Sequence, residues 1–84
     1  MRFQFPTAML IEEIDGGLIL KKESSNKIAC LSPHESMVIK RLIYYGKEET
    51  IKYCIEEFAG EGIERNIEKF IASLIAEEFL EYNE

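Results

Sequence analysis

Tryptophan is absent from this 84-residue chain, histidine occurs once, and proline and cysteine occur twice each. Each scarcity removes a class of function. Two cysteines, Cys30 and Cys54, make no disulfide framework and no Cys-x-x-Cys pair, and one histidine cannot complete a zinc site with them at a recognised spacing. Both thiols are therefore expected to be reduced, buried and structural, which points to the cytoplasm. No apolar run approaches the roughly 20 residues that span a bilayer. The opening Met1-Arg2-Phe3-Gln4-Phe5-Pro6 has one charge and no long apolar core, so it does not read as a secretory signal. No membrane partner is expected.

Positive charge is scarce where negative charge is dense. The chain carries −6 overall. Its first half is nearly balanced, whereas from Lys47 onward four Lys/Arg face eleven Glu. Phosphate backbones are bound by clustered Lys and Arg, so nucleic acid is not expected as a partner. An acidic second half suits a solvated helical surface. The length allows one domain, residues 1–84, with a small core.

The first third reads as strands. Thr7 to Ile14 is short and apolar, Asp15-Gly16 favours a type I′ hairpin turn, and Gly17 to Lys22 returns. Glu23-Ser24-Ser25-Asn26 is a polar turn, and Lys27-Ile28-Ala29-Cys30-Leu31 is a third strand. The rest reads as helices. Ser32-Pro33-His34-Glu35 combines a cap, a first-turn proline and a capping-box glutamate. Met37, Val38, Leu42 and Tyr45 follow as the apolar positions, and Gly46 stops the helix. A second helix opens at Lys47 with Ile51, Cys54, Ile55 and Phe58 inward, and Gly60-Glu61-Gly62 breaks it. The third runs from about Ile63 to about Ala76, with Ile63, Ile67, Phe70, Ile71 and Leu74 as one stripe. Phe79 to Tyr82 reads as a short extended or frayed tail. The expected fold is α+β: a three-stranded antiparallel meander followed by three helices, βββααα, winged-helix-like, with the helices on one face of the sheet.

Catalytic chemistry is missing from this pattern. His34 sits in a first helical turn, where the helix dipole disfavours its charged form. Neither cysteine has a local activating group. The adjacent glutamate pairs point to different sides of their helices. The chain is expected to be no enzyme and to hold no cofactor or metal. A winged-helix DNA-binding domain is the nearest rival fold. Its helices usually precede the hairpin, however, and here Arg65 and Lys69 are outnumbered by Glu61, Glu64, Glu68, Glu77 and Glu78.

A three-stranded meander leaves its third strand, Lys27–Leu31, as an edge with unpaired backbone groups. A peptide adds to such an edge as a further strand. Self-pairing is the other use of an edge, which adds a strand-exchanged homodimer or a self-associating structural module to the expectations.

The residues also carry a resemblance. Asp15-Gly16-Gly17-Leu18-Ile19-Leu20, then Ala29-Cys30-Leu31-Ser32, Leu42-Ile43 before Gly46, Ile51 with Ile55 and Phe58, Phe70-Ile71-Ala72-Ser73-Leu74, and Glu78-Phe79-Leu80 together resemble the PqqD-like family of RiPP recognition elements. The resemblance covers nearly the whole chain. It implies binding of the leader of a ribosomally made precursor peptide, as a strand beside the third strand and in a groove against the third helix. It also implies delivery to a modifying enzyme, such as a radical SAM maturase, or a leader peptidase in lasso-peptide pathways. Carried onto this chain, Lys27, Ile28, Ala29, Cys30 and Leu31 pair with the leader. Asn66, Phe70 and Ser73 fall on one flank of the core stripe and Arg65 and Lys69 nearer the outer side; Asn66, Lys69, Phe70 and Ser73 line the groove, with Arg65 and Lys69 able to meet acidic leader residues.

Overall fold

The computed structural model describes residues 2–83. Along the chain these form β1 (Arg2–Gln4), β2 (Met9–Ile14), β3 (Gly17–Lys22), β4 (Ile28–Leu31), α1 (Pro33–Tyr45), α2 (Lys47–Glu57), α3 (Ile63–Ala76) and β5 (Glu81–Asn83). The meander is β2-β3-β4, antiparallel throughout. Asp15 and Gly16 both take positive φ, 51° and 83°, as a type I′ turn requires. That turn sets Ile14 opposite Gly17 and Met9 opposite Lys22. Gly17 is needed for a second reason: a Cβ there would lie 2.4 Å from the Leu31 carbonyl oxygen. A side chain would push β4 off β3.

The register sorts the side chains by face, because neighbours on adjacent strands point the same way. Leu18 opposite Leu31, and Leu20 between Ile11 and Ala29, form the inner face. Leu18, Leu20 and Leu31 are buried there. Against them pack Ile39 and Leu42 of α1, Ile51 and Cys54 of α2, and Ile67, Ile71 and Leu74 of α3. Each fully buried Leu or Ile stabilises by roughly 1.5–3 kcal/mol relative to an exposed one. α1 thus lies on one face of the sheet against β3 and β4, with α2 packed on α1 and α3 on α2, in the order βββααα.

Chain direction into α1 is fixed by the capping box. The Glu35 N–H donates to Ser32 Oγ at 3.2 Å, and the Ser32 N–H donates to Glu35 Oε1 at 2.9 Å. At the other end the Gly46 N–H donates to the Leu42 carbonyl at 3.0 Å, and Gly46 at φ 93° turns the chain straight into α2. The two buried polar side chains also have partners. Thr50 Oγ1 donates to the Gly46 carbonyl at 2.7 Å, and Ser36 Oγ donates to the Leu31 carbonyl at 3.5 Å.

Of the two forms expected for the tail, the extended one is found, and it pairs with the opening residues: β5 lies against β1, Phe3 opposite Tyr82, while Met1 lies outside the described residues. Phe3, Phe79 and Leu80 all join the core. Three expectations are corrected. On α1, Ile39 is fully buried and Tyr45 is exposed. Tyr45 sits in the last turn, stacked beside Tyr44 and Arg41 rather than over the sheet. Likewise Ile55 and Phe58 of the second helical segment are exposed, with Ile51 and Cys54 carrying its contact with the core. Finally, Cys54 is buried but Cys30 is exposed. Cys30 stands opposite Ile19, one residue out of phase with buried Leu31, and so faces outward.

Candidate functional site

β4 is an edge. It pairs with β3 on one side, and among the described residues no strand pairs with it on the other. Its alternation gives it two characters. Ala29 and Leu31 face the core, the first half-buried and the second buried, while Ile28 and Cys30 point outward and are exposed. Lys27 lies just before the strand, and its N–H donates to Ser25 Oγ at 3.3 Å. Leu31 can therefore offer a ligand only its backbone. Ile28 and Cys30 can also offer side chains.

Two ion pairs bring the end of α3 to the start of this edge. Lys27 Nζ lies 3.3 Å from Glu77 Oε2, and Lys22 Nζ lies 3.4 Å from Glu78 Oε2. Lys22 also lies over the Phe79 ring, 5.5 Å from its centroid. Exposed pairs of this kind contribute little stability, at most about 1 kcal/mol, but they mark which helix end neighbours which strand end. Beyond the other end of β4, His34 in the first turn of α1 meets Phe58 edge-on, with ring centroids 5.2 Å apart.

On α3 the expected groove residues divide. The core stripe is Ile67, Ile71 and Leu74. At about 100° per residue, Asn66, Phe70 and Ser73 share one flank of that stripe. Phe70 is half-buried against the core, whereas Asn66 and Ser73 are exposed. Arg65 and Lys69 lie further round, on a shallow outer surface shared with Glu64, Glu68 and Ala72. The structure thus joins Lys27 to the end of α3 and gathers Asn66, Phe70 and Ser73 on one side. It sets Arg65 among carboxylates.

The other flank of α3 holds a feature that sequence reasoning missed. An open cavity of about 930 Å³ lies between Ile71 and Ile75 of α3, Tyr45 at the end of α1, and Phe3 and Tyr82 of the β1–β5 ribbon. Lys47 and Glu68, paired at 3.4 Å, stand at its rim. The available signal was the alternation Arg2-Phe3-Gln4-Phe5, a strand pattern too short to trust alone.

The two thiols are chemically distinct. Burial pushes the Cys54 thiol above its ordinary pKa, and the nearby Arg41 guanidinium partly offsets that. Arg41 Cζ lies over the Tyr53 ring, 3.5 Å from its centroid, and its Nε is buried without a hydrogen-bond partner. No helix among the described residues is long and apolar enough to cross a membrane.

No family model matches the chain, and no curated protein matches it significantly. Among solved structures, the fold superposes on TbiB1, determined in complex with the TbiA(beta) leader peptide. The TM-score is 0.79 at 22% identity, over 100% of both chains. Identity at that level makes the likeness one of fold.

Proposed function

We propose that this chain is a non-catalytic recognition domain for a precursor peptide: it captures the leader as an added strand on β4 and presents it to a modifying enzyme. The observation that carries this reading is the unpaired edge of β4, set beside the end of α3 by the Lys27–Glu77 contact. An edge strand supplies backbone donors and acceptors to any extended peptide, and alternate side chains supply selection. The fold it shares with TbiB1, whose structure contains a leader peptide, supports the same reading. Lys27, Ile28, Ala29, Cys30 and Leu31 form the pairing edge. Asn66, Lys69, Phe70 and Ser73 form the wall, and Arg65 joins Lys69 in drawing in acidic leader residues from the solvent side. The enzyme served is a radical SAM maturase or a leader peptidase, and the whole of residues 1–84 acts as one recognition domain in the cytoplasm.

The test is amide NMR of the labelled protein titrated with the leader of any short precursor peptide encoded beside it. Shifts concentrated at residues 27–31 and 66–73 are expected, with weak dependence on salt. An absence of shifts at saturating peptide would end the proposal. Binding to duplex DNA that weakens steeply with salt would replace it with the winged-helix reading.

A further inference from the structure

Among the described residues, the helical layer lies on one face of the meander, with α1 against β3 and β4. Its opposite face is also apolar. Leu10 and Ile14 of β2, Ile19 of β3, and Ile28 and Cys30 of β4 all point away from the core by register. Leu10 is 52% exposed, Ile14 49% and Ile28 55%. A solvated sheet face normally alternates to polar residues, so this one is built to be covered.

Its two charges say by what. Glu12 and Lys21 are the charged residues of this face, both exposed, and neither has an ion-pair partner among the described residues. The chain carries −6, yet this face is neutral, with one acid and one base. A surface of that kind complements itself. We infer that two copies of this chain pack sheet to sheet through this face, related by a two-fold axis.

The register places the axis. Glu12, Ile19 and Cys30 form one cross-strand row, and Leu10, Lys21 and Ile28 form the next. An axis crossing the strands midway between the rows sets one copy's first row over its partner's second. Lys21 of each copy then lies over Ile19 of the other, one strand from Glu12. Adjacent strands are about 4.8 Å apart and packed sheets about 10 Å apart, distances that an extended Lys and Glu bridge together. Ile28 falls over Cys30, and both contacts occur twice, as an isologous interface requires. Three strands of this length offer a footprint of only roughly 300 Å² per copy, well below the approximately 800 Å² of a standard stable interface. The dimer is therefore weak and forms at high concentration. It uses the face of β4 and leaves its edge free, unlike dimerisation by strand exchange.

Sedimentation of the intact protein from micromolar to millimolar concentration tests this. The mass should climb from 9.8 kDa toward twice that value. Glu12→Lys and Lys21→Glu each place like charges together and should weaken association by about tenfold or more. The double variant Glu12→Lys/Lys21→Glu should restore it. Both sites are solvent-exposed, and circular dichroism verifies that the fold is retained. A monomer throughout, single variants that associate like the parent, or a double variant no better than the singles would each overturn the dimer. Leader titration of Glu12→Lys, whose groove is untouched, keeps this result separate from that of the peptide-binding proposal.

Discussion

The β1–β5 ribbon and the β4 edge are built from the same material, three or four residues of extended chain, yet they end differently. β1 and β5 find each other across the whole length of the chain and close. β4 pairs with its neighbour in the meander and, like each ribbon strand, has one paired side among the described residues. The difference lies in what anchors each. Phe3 is buried and its ring packs at a 55° tilt against Tyr82 with centroids 4.6 Å apart, and Leu80, just before β5, is almost wholly buried. On β4 only Leu31 is buried, while Ile28 and Cys30 face water. The ribbon is held by burial at Phe3 and, just before β5, at Phe79 and Leu80, whereas the outward side chains of β4 leave that strand's surface open to a partner.

The most severe way to break this comparison is to remove the ribbon's anchor. Phe3→Ala should cost about 3–5 kcal/mol in urea denaturation and free the β5 amides to exchange, leaving β4 exchange unchanged until global unfolding. A loss under about 1 kcal/mol would mean that the ribbon is not held by burial.

The two thiols sharpen it next. Cys30 on the open edge strand should react with Ellman's reagent at once. Cys54 should react at least about a hundredfold more slowly, since it is reached only through opening of the structure. Similar rates would contradict the assigned faces of β4 and α2. Cys54 also sets a pH dependence. Its folded pKa is raised, so its contribution to stability is complete below the ordinary thiol pKa. Above that value the unfolded chain loses its proton first, and stability falls as pH rises. The urea midpoint of the wild type should therefore decline in the alkaline range more steeply than that of Cys54→Ala.

The smallest effect belongs to the contact that flanks the edge. Lys27→Ala should reduce stability by roughly 0.2–1 kcal/mol, and by less at high salt, as for an exposed pair. A larger, salt-independent loss would show that Lys27 supports β4 itself rather than only bridging to α3.

Much of this was legible in local chemistry. Asp15-Gly16 announced its turn, Ser32 to Glu35 announced the start of α1, and Ile67, Ile71 and Leu74 announced the buried face of α3. Each signal is read within a few residues, because turn dihedrals, caps and helical periodicity are local. The ribbon was not legible. Its two strands lie at opposite ends of the sequence, and three residues give too short a pattern to separate a strand from a loose end. Tyr45 was counted among the apolar positions and Ile39 was missed for a related reason: periodicity gives a helix its apolar stripe, but not how far along it the sheet extends. For the candidate site, the edge position of β4 followed from strand order in a meander. The outward turn of Cys30 required the register, whereas the carboxylates beside Arg65, Glu64 and Glu68, lie on α3 itself and were visible in the sequence.

The sequence by itself determined the kinds of element, their order and the turns between them, since these rest on backbone preferences and on the spacing of apolar residues. Tertiary structure alone decided that the chain's two ends meet, that the end of α3 neighbours the start of β4, and that the second sheet face lies uncovered. Those outcomes depend on which surfaces bury one another across long separations in the chain, and no local pattern encodes that choice.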